Sequence, residues 1–308
     1  MGKQLLSIPS FTAGEMSSSM QGRTDFAKYF SAASRIENFV VLPHGPITRR
    51  PGTYFVSEVK TSSAKTRLVP FTFSTEQTYI LEFGNQYIRF YKDDGQIQSG
   101  GSAYEISTPY TTAQLFDLKF AQSADVMYIC NENHSVRKLS RTGHTSWTLS
   151  EVEFTNGPYL DSNTTSVTMT PSGTSGSITI TASAATFVSG DVNRLIKFSN
   201  GYAKISGFTS DTVVSATVKE NFDNTNAVSD WSVGAFSTVT GHPRCVSFFE
   251  QRLVFAGTNA EQQTLYFSKA GDYENMTTGT NADDAMVYTI ASNQVNRIRY
   301  LKSVRTLI

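Results

Sequence analysis

The 308-residue sequence has no excess of charge of either sign, and it has few charged side chains for its length. Lys and Arg together number 26, Asp and Glu also number 26, and charged residues make up 17% of the chain. The usual share is about a quarter. This balance argues against a protein that wraps nucleic acid by neutralising phosphates. Surface polarity comes mainly from hydroxyl groups instead, since Ser and Thr account for 74 residues.

Cysteines and long apolar runs are also scarce. The two cysteines, Cys130 and Cys245, are far apart in sequence and are interpreted as free thiols in the core rather than as a disulfide. No apolar run approaches the ~18 residues that span a bilayer, so no membrane-spanning segment is predicted. Hydrophobic residues at 39% and aromatics at 12% nevertheless exclude a disordered chain.

Recognisable catalytic and cofactor motifs are missing from the sequence. It contains no phosphate-binding glycine loop and no GxSxG nucleophile motif. The adjacent carboxylates Asp93-Asp94 and Asp283-Asp284 lie in turn-forming segments, where solvated turns are the simpler interpretation. The histidines have no metal-ligand spacing; His134 is assigned to a polar turn, and His242, which precedes Pro243 at the start of a blade, is assigned a role in backbone constraint. The sequence therefore predicts no enzyme, no cofactor and no metal site.

Helical periodicity is almost absent, apart from a short turn expected over residues 25–33. Elsewhere apolar and polar residues alternate in short runs rich in β-branched and aromatic residues. YILEF at residues 79–83 and YIRFY at residues 87–91 are separated by Gly84-Asn85-Gln86, which is typical of a β-hairpin. The pattern predicts an all-β protein.

Three similar segments recur at residues 67–97, 118–154 and 245–276, and residues 296–308 resemble the start of another. Each has strand, turn, strand, turn, strand, and the second has a clear fourth strand. Four-stranded repeats of about 40 residues are typical of propeller blades. We therefore expect a partial or incomplete β-propeller, with an irregular stack of β-meanders as the alternative. We further predict that residues 249–255 and 266–268 pair as antiparallel strands of one blade.

Composition suggests four regions. Residues 1–60 form an irregular N-terminal arm, residues 61–155 form propeller blades, and residues 156–240 form a small inserted β-domain. Residues 156–190 contain 15 Ser or Thr, which marks the start of that domain. Residues 241–308 form one or more further blades. Their apolar ending predicts that the propeller continues past Ile308 or is completed by another polypeptide.

The arm differs in charge from the segment that follows. Residues 1–70 carry nine Lys or Arg against four Asp or Glu, whereas residues 71–155 carry six against ten. Arg49 and Arg50 precede Pro51-Gly52, so two guanidinium groups on a stiffened turn could pair with carboxylates across an interface. The simpler alternative is a pair of solvated arginines.

Several motifs of the arm and of the last region resemble the tail nozzle family, or tail tubular protein B family, of short-tailed bacteriophages. In the arm they are FTAGEMS at residues 11–17, GRTD at 22–25, KY at 28–29, NF at 38–39, PHGP at 43–46 and TRRPGTYF at 48–55. Later motifs are FEQRLVFAGT at 249–258, YFSKAGDYEN at 266–275 and IASNQVNR at 290–297. Residues 156–240 match only loosely.

The resemblance implies a virion structural protein of the phage tail, made in the host cytoplasm. It would form a ring, typically a hexamer, that contacts the adaptor and portal complex, lies near tail fibres or other adhesins, and lets genomic DNA pass. The candidate assembly interface comprises Arg23, Asp25, Tyr29, Arg49 and Arg50. Two alternatives remain: a receptor- or glycan-binding tail adhesin, and a virion enzyme.

Overall fold

The structure of the chain is a computed structural model, which describes residues 8–291, 294, 296–305 and 307. It is nearly all β, with 43% strand and 4% helix, and it includes a curled sheet that forms half a barrel. The all-β prediction is confirmed. The chain divides into an N-terminal unit, Met1–Val56, and a larger unit, Ser57–Ile308.

Over residues 8–56, the N-terminal unit contains four very short strands in two pairs. β1 (Gly14–Glu15) pairs in parallel with β2 (Ala32–Ala33), and β3 (Phe39–Val41) pairs antiparallel with β4 (Ile47–Arg49). Two 3₁₀ helices, Ser18–Met20 and Tyr29–Ser31, lie between them. The helical turn expected over residues 25–33 is thus a three-residue 3₁₀ helix.

The larger unit begins with two antiparallel sheets, of which the second is built from strands consecutive in sequence. The first sheet has the order β11-β7-β6-β5, with β8 also paired to β7, and the second has the order β12-β13-β14-β15. Their strands are β5 (Arg67–Thr72), β6 (Thr78–Gly84), β7 (Tyr87–Lys92), β8 (Gly95–Gln96), β11 (Glu105–Ser107), β12 (Lys119–Ser123), β13 (Val126–Asn131), β14 (His134–Gly143) and β15 (Ser146–Glu151). Between β8 and β11, β9 (Gln98–Ser99) pairs with β10 (Ser102–Ala103), and a 3₁₀ helix at Thr112–Gln114 precedes β12.

A third sheet of six strands follows, in the order β16-β17-β20-β19-β18-β21, and a fourth sheet has the order β22-β23-β24-β25. The strands of the third are β16 (Met169–Pro171), β17 (Ser177–Ala182), β18 (Leu195–Phe198), β19 (Gly201–Phe208), β20 (Val213–Glu220) and β21 (Trp231–Val233), with a 3₁₀ helix at Ser189–Asp191. Those of the fourth are β22 (Cys245–Phe249), β23 (Arg252–Ala256), β24 (Thr264–Phe267) and β25 (Met286–Thr289).

Local sequence explains the hairpins. β6 and β7 pair antiparallel with Gly84 opposite Tyr87, as predicted, and Gln86 adopts a positive φ of 64° in the intervening turn. Asp93 and Asp94 both have positive φ, 50° and 58°, which is the geometry of a two-residue type I′ turn. Asp and Asn tolerate this conformation better than most residues do. The interpretation of Asp93-Asp94 as a turn is confirmed.

One strand boundary was predicted wrongly. The sequence interpretation ran a single strand through residues 249–255, but Glu250 and Gln251 have φ of 45° and 59° and form the turn between β22 and β23. The antiparallel pairing itself is confirmed, because Val254 lies opposite Phe267 and Phe255 lies opposite Tyr266. The turn was missed because neither central residue is Gly, Asn or Asp, the usual residues at positive φ.

The second sheet is covered on both faces. Towards the first sheet, Met127, Ile129, Leu139 and Trp147 join one core cluster. The Trp147 ring lies 4.5–5.3 Å from the ring centroids of Phe71, Tyr79 and Phe90. Towards the fourth sheet, a second cluster contains Tyr128, Cys130, Val136, Leu253, Phe255 and Tyr266. Trp147 is therefore a core residue.

The third sheet has its own core, and residues near the end of the chain cover part of the fourth. Ile180, Ile196, Ile205 and Val214 belong to a cluster formed within the third sheet and its loops. Val254, Ala256, Leu265 and Phe267 of the fourth sheet pack with Leu301. The prediction for residues 296–308 falls in part outside the described residues.

We expect Leu253→Asp to destabilise the larger unit severely. Leu253 is fully buried, so the variant would place an unpaired carboxylate in an apolar cluster, at a cost of several kcal/mol. Thermal melting followed by circular dichroism measures the effect. Leu68→Asp is the matched control, because Leu68 is 63% exposed and should tolerate the charge. Equal melting temperatures for the two variants would contradict the placement of Leu253.

Candidate functional site: assembly surfaces of the chain

The N-terminal unit contains all five residues of the predicted interface. The Arg23 guanidinium donates two hydrogen bonds to the Asp25 carboxylate, at 2.8 and 2.6 Å. This contact raises the pKa of Arg23 and lowers the pKa of Asp25. The Tyr29 hydroxyl accepts a hydrogen bond from the Gly22 N–H at 3.0 Å. Arg23, Asp25 and Tyr29 thus order one loop of the unit itself.

Arg49 and Arg50 differ from each other in their surroundings. Arg50 donates from its backbone N–H to the Asn38 carbonyl at 2.9 Å, and from Nε to Asn38 Oδ1 at 2.8 Å. Arg49 ends β4 and is exposed. Within the part of the chain that the structure describes, the Arg49 guanidinium has no hydrogen-bond or ion-pair partner. Arg49, rather than the pair, is therefore the guanidinium available to a neighbouring protein.

In its described residues, 8–56, the N-terminal unit exposes eight large apolar side chains. Between residues 8 and 56, Gly45 alone is buried. Phe30 is 66% exposed, Tyr54 79% and Phe55 76%. The other exposed members of this set are Ile8, Phe26, Phe39, Val40 and Val56. We call these eight side chains the apolar arm surface. Sequence reasoning identified the arm by its charge and missed this surface, which the row of aromatics in residues 26–55 could have indicated.

The outer strand of the fourth sheet is a second exposed surface. In the described residues β25 pairs only with β24, so its other edge carries unpaired backbone N–H and C=O groups. All four of its residues are exposed, including Met286 at 45%, Val287 at 44% and Tyr288 at 61%. An exposed apolar edge strand is a template for pairing with another chain.

A cluster of ion pairs joins the second sheet to the fourth. Glu132, in the β13–β14 turn, accepts from Arg244 at 3.4 Å and also from Arg297. Arg297 donates in addition to Asn259 Oδ1 at 2.7 Å, and Arg244 lies 3.8 Å from Asp117. These contacts link the β13–β14 turn to the segments that flank the fourth sheet.

His134, assigned to a turn, is instead the first residue of β14 and is half-buried, whereas His242 is buried. His134 Nε2 lies 3.0 Å from Gln114 Oε1, and burial lowers the pKa of His134. His242 is 9% exposed, and its burial lowers its pKa to about 4, opposed by the charge of Glu151 and assisted by His134. In residues 8–291, 294, 296–305 and 307, no group of three or more His, Cys, Asp or Glu side chains is placed to hold a metal ion.

The structure also shows the surroundings of the two cysteines and of the Asp283-Asp284 pair. Cys130 and Cys245 are both buried free thiols, and burial is the largest cause of the raised pKa of each thiol. Asp284 is mostly buried whereas Asp283 is exposed, and Lys269 Nζ lies 3.4 Å from a carboxylate oxygen of each. Asp283 and Asp284 therefore belong to a loop held by one lysine.

Comparison with known proteins gives no family assignment: no family model matches the chain, and no curated protein is similar to it. Within the described residues, no helix is long and apolar enough to cross a bilayer.

We predict that assembly depends on Arg49 more than on Arg50. Arg49→Ala/Arg50→Ala should weaken self-association, and Arg49→Ala alone should account for most of the loss, because Arg50 already bonds Asn38. Sedimentation velocity over a concentration series measures this. Arg35→Ala is the control, since Arg35 is exposed and paired with Glu37. An unchanged concentration dependence in the double variant would exclude this role for the arginines.

We also predict a pH dependence from His242. Its folded-state pKa of about 4 lies below the ordinary value of 6.5, so the folded protein binds fewer protons than the unfolded chain between these pH values. Stability is therefore lost as pH falls from 6.5 towards 4, by about 2–3 kcal/mol at pH 4.5. Urea unfolding at pH 7.5 and 4.5 should show a smaller difference in His242→Asn. The exposed His44 gives the control, His44→Asn, which should behave as the native protein. The same loss in both variants would show that other groups cause it.

Proposed function

We propose that the chain is a structural subunit of a larger protein assembly, in which its N-terminal unit is covered by a neighbouring subunit. The observation that carries this proposal is the apolar arm surface on a unit whose described residues, 8–56, contain no buried apolar side chain. Ordering backbone costs about 1–2 kcal/mol per residue. Burial of apolar side chains is the main term that offsets this cost. A unit that exposes eight large apolar side chains lacks that term, and a protein partner supplies it.

The arrangement of the sheets supports a propeller-like body for this subunit. The second sheet packs face to face between the first and the fourth, and the strand pairs of all three sheets are antiparallel. Successive blades of a propeller pack in this way. We propose that these three sheets are neighbouring blades, that the third sheet is an inserted domain, and that further β-structure covers the free outer face of the first sheet. Leu68 and Ile80 on that face are 63% and 41% exposed.

The motif resemblance to phage tail nozzles gives the proposal its biological setting. The subunit would form a ring in the virion tail, contact the adaptor and portal complex and nearby adhesins, and let DNA pass through the bore. The net charge of zero suits a conduit, because tight phosphate binding would retard the DNA. The proposed role includes no catalytic step.

The direct test removes part of the apolar arm surface. Phe30→Ser/Phe55→Ser should weaken self-association at least tenfold, because burying one Phe side chain contributes about 1.5–3 kcal/mol. Sedimentation velocity gives the association constant, and negative-stain microscopy shows the shape of the assemblies.

Phe116→Ser is the matched control. Phe116 is 58% exposed, but it belongs to the larger unit, in the segment that connects β11 to β12. Rings that form in the native protein and in the control, but not in the double variant, support the proposal. A native protein that stays monomeric at all concentrations would contradict it, and trimers without a central channel would favour the adhesin alternative.

A further inference from the structure

A polar cleft of about 470 Å³ lies between the second and third sheets, within the larger unit. One wall comes from β14 and the end of β15, with Ser135, Arg137 and Glu151. The opposite wall comes from the third sheet, with Tyr202 and Lys204 on β19 and Lys219 on β20. Its volume is within the range of small-molecule sites. The assembly proposal gives this cleft no role.

The charges of the cleft are not balanced. Arg137 pairs with Glu151, directly opposite on the neighbouring strand, at 2.8 Å. Lys204 Nζ lies 3.3 Å from Glu153 Oε1. The pKa of the Glu153 carboxyl group is lowered first by this hydrogen bond from Lys204, and then by the charges of Lys204 and Lys219. Lys219 itself is exposed. Two lysines therefore share one carboxylate, and one positive charge is left over.

The cleft also presents uncharged hydrogen-bonding groups. Asn133, Ser135 and Asn193 line it and come from two segments, the start of β14 and the loop before β18. Within the described residues, none of these three side chains has a hydrogen-bond partner, and all are exposed or half-buried. Amide and hydroxyl groups both donate and accept hydrogen bonds, which suits a ligand with several hydroxyl groups.

We propose that this cleft binds a small hydroxylated carboxylate of the uronic-acid class, an acidic saccharide unit. Its carboxylate pairs with Lys219, whose positive charge the shared Glu153 carboxylate leaves unbalanced. Its hydroxyl groups exchange hydrogen bonds with Asn133, Ser135 and Asn193. Recognition of this kind is specific because a neutral sugar leaves the second lysine without a counter-charge, and a simple anion leaves the amide and hydroxyl groups without partners.

The experiment is isothermal titration calorimetry of the full chain with three probes: glucuronate, glucose and inorganic phosphate. It is done at low ionic strength, since salt screens exposed charges. We expect saturable binding of glucuronate, and binding at least about fivefold weaker for Lys219→Gln. Lys65→Gln makes the same charge change on an exposed lysine outside the cleft and should leave the affinity unchanged. Melting temperatures establish that both variants are folded.

The outcomes separate the parts of the proposal. Tight binding of glucuronate alone, lost with Lys219→Gln and kept with Lys65→Gln, supports it. Glucose binding as tightly as glucuronate would overturn the role of the lysine pair. Phosphate binding as tightly as glucuronate would show an anion site without saccharide recognition. Absence of saturable binding, or equal weakening by both variants, would overturn the site itself. None of these results depends on whether the chain assembles.

Discussion

The packing of the second sheet between two others is the constraint on which the larger unit depends. Every residue of β13 after Val126 is buried, because Met127 and Ile129 face the first sheet while Tyr128 and Cys130 face the fourth. A strand covered on both faces has no solvent-facing side, so alternate residues of β13 pack into two different cores. The second sheet therefore holds the first and fourth sheets on its two opposite faces. The outer face of the first sheet, the β25 edge and the cleft lie outside these two interfaces.

Buried charged groups hold the loops that this packing leaves irregular. Arg252 is 6% exposed and donates to the backbone carbonyls of Ser268, Asp284 and Ala282 at 2.6–2.7 Å. Asp191 and Arg194 form a buried pair at 2.8 Å, and Arg194 also donates to the Gly234 carbonyl. A buried charge is tolerated only when hydrogen bonds compensate its lost hydration. Each of these groups therefore fixes one loop conformation, including the loop beside the cleft that leads into β18.

Much of the fold was predictable because its determinants are local. Alternation with Gly84-Asn85-Gln86 and Asp93-Asp94-Gly95 defined the β6–β7–β8 turns, and four strands were predicted for residues 118–154, where the second sheet has four. The sequence could not reveal that Arg252 is buried, since its partners lie 16 to 32 residues away in loops without a pattern. For the same reason it could not reveal that Asn38 binds Arg50, or that Glu153 and two lysines of the third sheet meet in one cleft.

The central claim is that residues 8–56 are covered by another subunit when the protein assembles. Hydrogen–deuterium exchange, measured at protein concentrations below and above the association midpoint, tests it most directly. The account predicts that amides in residues 8–56 become strongly protected at the higher concentration, while those of β13, already buried in the monomer, do not change. Equal exchange of residues 8–56 at both concentrations, in samples shown to associate, would contradict the account.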